Sequence, residues 1–123
     1  MFRVIEGLPP GVLGLEAHGR ITHADYRDVL IPKIEAAAVQ GPIDMIYAFG
    51  EDFSGFEFWA MWDDAAAGIR HWKDFRRIAV VADPAWLRNS VSLFAPFIPA
   101  EVGIFTRAEM ATARDWISRP SAS

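Results

Sequence analysis

Three histidines and two pairs of adjacent acids are the residues with which this chain could hold a metal or move a proton. His18 falls in a β-favouring run, His23 at the start of a helical one, and His71 on the polar face of a helix expected over residues 57–72. On that face Glu57, Asp64 and His71 recur at intervals of seven. Seven residues of helix rise about 10.5 Å, whereas ligands converge within about 2–2.6 Å of one ion. No metal site is expected there. Asp63 and Asp64 point about 100° apart on the same helix and cannot act as an acid–base pair unaided. Glu51-Asp52 lies on a loop after a strand's carboxyl end, where parallel sheets place their sites. A solvated acidic loop is the plainer reading, and an enzyme using Glu51, Asp52 or His71 is the weakest of the functional readings. The absence of cysteine excludes a thiol nucleophile, a disulfide and a Cys-ligated metal. There is no Gly-x-Ser-x-Gly, phosphate-binding loop or Gly-x-Gly-x-x-Gly, so hydrolase, nucleotide and dinucleotide chemistry lose their usual support. No catalytic residue and no cofactor are expected.

Basic and aromatic residues interleave at Arg70, His71, Trp72, Lys73, Phe75, Arg76 and Arg77, broken by Asp74. Single-stranded nucleic acid is bound by such mixtures, but the chain carries a formal net charge of -4, and a net acidic domain has no long-range attraction for a polyanion. These cations are read instead as sitting at the negative end of the helix over 57–72 and leading into the next strand. The other aromatics are harder to absorb. Phe53, Phe56, Phe58, Trp59, Trp62, Trp86, Phe94 and Phe97 gather around two helices, and each ring buries about 150–250 Å². Most belong to a core. A chain of 123 residues has limited interior, and the surplus points to a hydrophobic cleft or a partner-binding face.

The elements that must position these residues read as ββαβαβαβα in one α/β domain over residues 1–117, with 118–123 as a disordered tail. Phe2 to Glu6 alternates at period two, Pro9-Pro10-Gly11 turns the chain, and Val12 to Ile21 returns as a second, antiparallel strand interrupted by Gly14 and Gly19. Thr22-His23-Ala24-Asp25 has the form of a capping box. The helix it opens runs to Gln40, with Tyr26, Leu30, Ile34 and Ala37 as its apolar stripe and a kink at Pro32. Ile43 to Phe49 reads as a central strand covered on both faces, Arg77 to Ala82 as the next and Glu101 to Phe105 as the last. Asp83-Pro84 supplies an N-cap and first residue for a third helix running to about Phe94, and Thr106 to Glu109 a second capping box before a closing helix. Strands that alternate with helices should be parallel. No signal-peptide core and no run of about 18 apolar residues occurs, so no membrane segment and a cytoplasmic location are expected.

Several strings together resemble the SpoIIAA-like family of the STAS superfamily, relatives of the bacterial anti-sigma factor antagonists. They are Ile21 to Pro32 (ITHADYRDVLIP), Ala60 to Asp64 (AMWDD), Arg77 to Asp83 (RIAVVAD), Leu93 to Pro99 (LFAPFIP) with Phe105, and Ala113 to Ile117 (ARDWI). The resemblance implies a five-stranded mixed sheet with helices packed on it, in a cytoplasmic regulatory or binding module rather than an enzyme. In the antagonists a Ser or Thr at the start of the second helix is phosphorylated by a partner kinase. The matching stretch here, Phe56-Glu57-Phe58-Trp59, has no hydroxyl; Ser54 is the nearest, in the loop before it. Glu57 places a fixed negative charge near that helix start, which cannot be switched.

Two functional readings follow. The first is a non-enzymatic module that binds another protein or a second copy of itself through Phe53, Ser54, Phe56, Glu57, Phe58, Trp59, Trp62, Trp86, Phe94 and Phe97. The second is a carrier or sensor of a small apolar ligand, held between the second and third helices by Phe58, Trp59, Trp62, Trp86, Phe94 and Phe97.

Overall fold

Alternating apolar residues at the chain start form strand β1 (Phe2–Val4), which pairs antiparallel with β2 (Val12–Ala17) in the register Phe2↔Ala17 to Val4↔Leu15. A computed structural model describes residues 1–56, 72–97 and 99–119, and for Phe56, Trp72 and Phe94 the backbone alone. Within these, the further elements are β3 (Arg20–Ile21), helix α1 (residues 23–40), β4 (Ile43–Phe49), β5 (Gly55–Phe56), β6 (Phe75–Val81), α2 (Ala85–Phe94), β7 (Glu101–Phe105) and α3 (Met110–Ile117). The helix expected over 57–72 falls outside the described residues, apart from Trp72, which opens a 3₁₀ turn at Trp72–Asp74.

The main sheet is ordered β1-β2-β4-β6-β7. Its β2–β4, β4–β6 and β6–β7 ladders are parallel, as expected of strands that alternate with helices. The second strand is shorter than its sequence suggests. It stops at Ala17, because Gly19 turns the chain with φ +61, and the two residues beyond pair instead with β5 (Arg20↔Gly55, Ile21↔Phe56). Gly14, in contrast, leaves the ladder unbroken. A Cβ there would lie 2.4 Å from Leu8 Cδ1 and 2.9 Å from Ile5 Cβ, so glycine lets the β1–β2 connection pack down onto the strand.

Strand β4 is central and covered on both faces. Ile43, Met45 and Phe49 join Leu15, Tyr26, Leu30, Ile34, Val80 and Leu87 on the side of α1 and α2. Ile46 and Ala48 join Ala79, Val81, Ala113 and Ile117 under α3. Each large apolar side chain removed from water contributes about 1.5–3 kcal/mol, so the period-two pattern of this strand fastens both layers of helix.

Helix α1 opens with the expected capping box. The Asp25 amide donates to Thr22 Oγ1 at 3.2 Å, and the Thr22 amide donates to Asp25 Oδ2 at 2.8 Å. The chain then stays helical through Pro32, with its irregularity one turn earlier in a π-helical stretch (Tyr26–Leu30), where the Ile31 N–H reaches the Tyr26 carbonyl. Helix α2 begins one residue later than Asp83-Pro84 suggests. Pro84 is the extended N-cap, and the Asp83 carboxylate accepts from the Arg107 amide at 2.9 Å instead of capping α2.

Two cations of the basic stretch, Arg76 and Arg77, are engaged within the fold, while the helix whose negative end they were expected to face lies outside the described residues. Arg76 makes a forked pair with Asp44 at 2.8 and 2.6 Å. Arg77 is buried. It donates to Glu101 at 3.1 Å and to the carbonyls of Trp116 and Arg119 at 3.2 and 2.8 Å, with its guanidinium 5.6 Å from the centre of the Trp116 ring. Guanidinium donors at a helix's last carbonyls satisfy orphan acceptors and complement the dipole. Arg119, the second residue beyond α3, is thereby tied to the sheet.

Candidate functional site

The carboxyl ends of the parallel strands β2, β4, β6 and β7 meet at one edge of the sheet, the place where such folds put their sites. A cleft of about 220 Å³ opens there. Phe49, Gly50, Glu51 and Phe53 form one wall; Asp83, Pro84 and Arg107 form the other. The loop after β4 is shaped by three backbone bonds: Gly50 N–H to the Ala17 carbonyl at 2.8 Å, Phe53 N–H to Gly50 at 3.1 Å, and Ser54 N–H to Gly19 at 2.9 Å. Phe53 packs its ring edge-on against Phe49, 4.8 Å between centroids.

Behind the cleft runs a chain of charges. His18 Nε2 lies 2.6 Å from Glu16 Oε1, and His18 Nδ1 lies 2.8 Å from Asp52 Oδ1. The other oxygen of Glu16 faces an Arg107 guanidinium nitrogen at 3.6 Å, and that nitrogen donates to the Phe49 carbonyl at 2.9 Å. The bond to His18 holds the Asp52 carboxyl below its ordinary range. Asp52 is therefore a hydrogen-bond partner of His18, while Glu51 lines the cleft. The adjacent acids are divided between two tasks.

Beside the cleft, α2 turns Leu87 inward and carries Trp86, Leu93 and Phe97 outward. Leu87 is 5% exposed, against 58%, 68% and 74% for the other three. Trp86 and Leu93 are two helical turns apart and share a face, and Phe97 is exposed in the 3₁₀ turn that follows (Ala95–Phe97). Single exposed apolar residues are ordinary, whereas a stripe of large ones is not.

Of the residues expected at a binding face, Phe53 lines the cleft half-buried, Ser54 is exposed in the loop, and Trp86 and Phe97 are exposed on the α2 side. Phe56 and Phe94 are described by backbone alone. Glu57, Phe58, Trp59 and Trp62 lie outside the described residues, as do Asp63, Asp64 and His71. Glu16, His18 and Arg107 were not expected here. The Glu16-x-His18 spacing is that of two residues on one side of an extended segment, a usable signal although His18 lies one residue past β2; Arg107 shows in sequence only as the second residue of a capping box. Among the described residues no three His, Asp or Glu side chains are grouped so as to hold a metal ion, and no helix is long and apolar enough to cross a membrane.

A mixed five-stranded sheet with helices on both faces and its loops gathered at the strand ends defines an α/β module with a SpoIIAA-like fold. The chain belongs to the SpoIIAA-like family, whose model matches residues 12–118. An uncharacterised protein of the DUF3478 family with a SpoIIAA-like fold, from Shewanella loihica PV-4, superposes with a TM-score of 0.78 at 25% identity, over 95% of this chain and 92% of that one. The anti-sigma factor antagonist SpoIIAA in its unphosphorylated form superposes with a TM-score of 0.62 at 15% identity, over 94% and 98%. The Bacillus cell fate determinant SpoIIAA in its phosphorylated form gives 0.60 at 14%, over 91% and 97%. These last two share the fold. No curated protein matches this chain.

Proposed function

We propose that this protein is a binding and regulatory module that docks a protein partner and performs no chemistry of its own. The observation that carries the reading is the outward stripe of Trp86, Leu93 and Phe97. Aromatic anchors of this kind dominate protein interfaces. The cleft beside them adds a polar rim, since Pro84 both lines it and caps α2. The loop of residues 51–56 continues the same surface, and Glu57 and Trp59 belong to the proposed face although they lie outside the described residues. That SpoIIAA, with the same fold, is an anti-sigma factor antagonist supports a protein-directed role.

The test is reconstitution. A stoichiometric partner recovered from the native cell is purified, and its affinity for the whole chain is measured by titration. Trp86→Ala and Phe97→Ala should each weaken it by about tenfold or more, with the fold unchanged by circular dichroism. Unchanged affinity in the double variant overturns the reading. If Trp emission instead shifts with a fatty-acid probe in the absence of any partner, the carrier of a small apolar ligand replaces it.

A further inference from the structure

We infer that His18 is a proton-operated clamp on the loop of residues 50–55, holding Asp52 while its ring is charged and releasing it when the ring is neutral. A neutral imidazole has one N–H and an imidazolium two. Both His18 nitrogens lie within hydrogen-bond distance of carboxylate oxygens, 2.6 Å to Glu16 and 2.8 Å to Asp52. Only the charged ring can donate to both, so the closed arrangement is that of the imidazolium. In the neutral ring one nitrogen presents a lone pair to a carboxylate, and one contact is lost.

Which contact goes is decided by the elements behind it. Glu16 lies in β2, paired on both sides, and its second oxygen faces Arg107 at 3.6 Å. Asp52 is on the loop, its side chain 66% exposed and otherwise held, among the described residues, only by the backbone amides of Gly19 and of Asp52 itself. The Asp52 side therefore gives way. The remaining groups near His18 are the Gly50 backbone under the ring and the Met1 amino group, which donates to the His18 carbonyl at 2.7 Å and not to the ring. Gly50 and Ser54 keep their backbone bonds to Ala17 and Gly19, so the motion is confined to Glu51, Asp52 and Phe53. Glu51 and Phe53 line the cleft, so release reshapes one wall of it. For that consequence the inference rests on the docking function proposed above; the clamp itself belongs to the chain alone.

The test is an NMR titration of the whole chain without partner between about pH 5 and 8, where histidine changes charge. The amides of Glu51, Asp52 and Phe53 should shift with the midpoint of the His18 ring, and their hydrogen exchange should quicken by about tenfold or more on the neutral side, beyond the intrinsic pH dependence seen at reference amides. His18→Gln and the milder, exposed Asp52→Asn should each abolish the step. Loop amides that ignore the ring's midpoint, or a step that survives in both variants, overturn the clamp and leave docking through Trp86 intact. A step that is present while purified partner binds equally on both sides confirms the clamp and removes this wall from the docking face.

Discussion

The ring of His18 lies directly over Gly50, so close that a Cβ at Gly50 would stand 2.7 Å from Nδ1 and 2.9 Å from Asp52 Oδ1. Glycine is required here by the approach of a side chain, not by a turn. Gly50→Ala should push the ring off both carboxylates and cost about 1–3 kcal/mol, as overpacking of a close contact does. Urea denaturation checks the stability, and the His18 ring signals check the displacement.

Arg77 joins a strand to the end of a helix. Arg77→Met keeps much of the apolar stem but takes one donor from each of the carbonyls of Trp116 and Arg119, which retain the Arg119 amide and Arg76 respectively. A loss of about 2–3 kcal/mol is expected from charged hydrogen bonds in a buried setting. Hydrogen exchange should accelerate first in α3, and uniform acceleration across the sheet would contradict the anchoring role.

The two capping boxes set an acid limit to stability. Burial opposes ionisation of Asp25, but the Thr22 amide and hydroxyl together with the Met1 amino group outweigh it and leave its carboxyl below the ordinary range. The Thr106 amide and hydroxyl do the same for Glu109. A depressed folded-state pKa contributes stability that is complete above the unfolded value and is lost as pH falls through the folded one. Thermal melts should therefore weaken on the acid side of the ordinary carboxylate range. Thr22→Ala, which removes the side-chain half of one box, should cost about 1 kcal/mol at neutral pH.

On the proposed docking face, stability and binding should separate. Leu93 is largely exposed, so Leu93→Ser should change the folding free energy by no more than about 0.5 kcal/mol while weakening the purified partner. A loss of stability comparable to the loss of binding would mean that Leu93 serves the fold instead.

What could be read from the residues in order is whatever depends on neighbours in the chain. The stripe Tyr26–Leu30–Ile34 and the Thr22 and Thr106 boxes lie within a few helical turns, and the alternation of Ile43 to Phe49 lies within one strand; all of them stand in the structure. The parallel ladders followed from the alternation of helix and strand patterns. The ends of elements were less secure. Gly19 ended β2 and Pro84 took the cap, each through a single backbone angle that periodicity does not record. The charge chain needed tertiary structure altogether. Glu16 comes from β2, His18 from just beyond it, Asp52 from beyond β4 and Arg107 from beyond β7, and they meet because parallel pairing brings those carboxyl ends to one edge. Short-range geometry is written in sequence spacing, whereas the company a charge keeps across the sheet is settled only when the strands have paired.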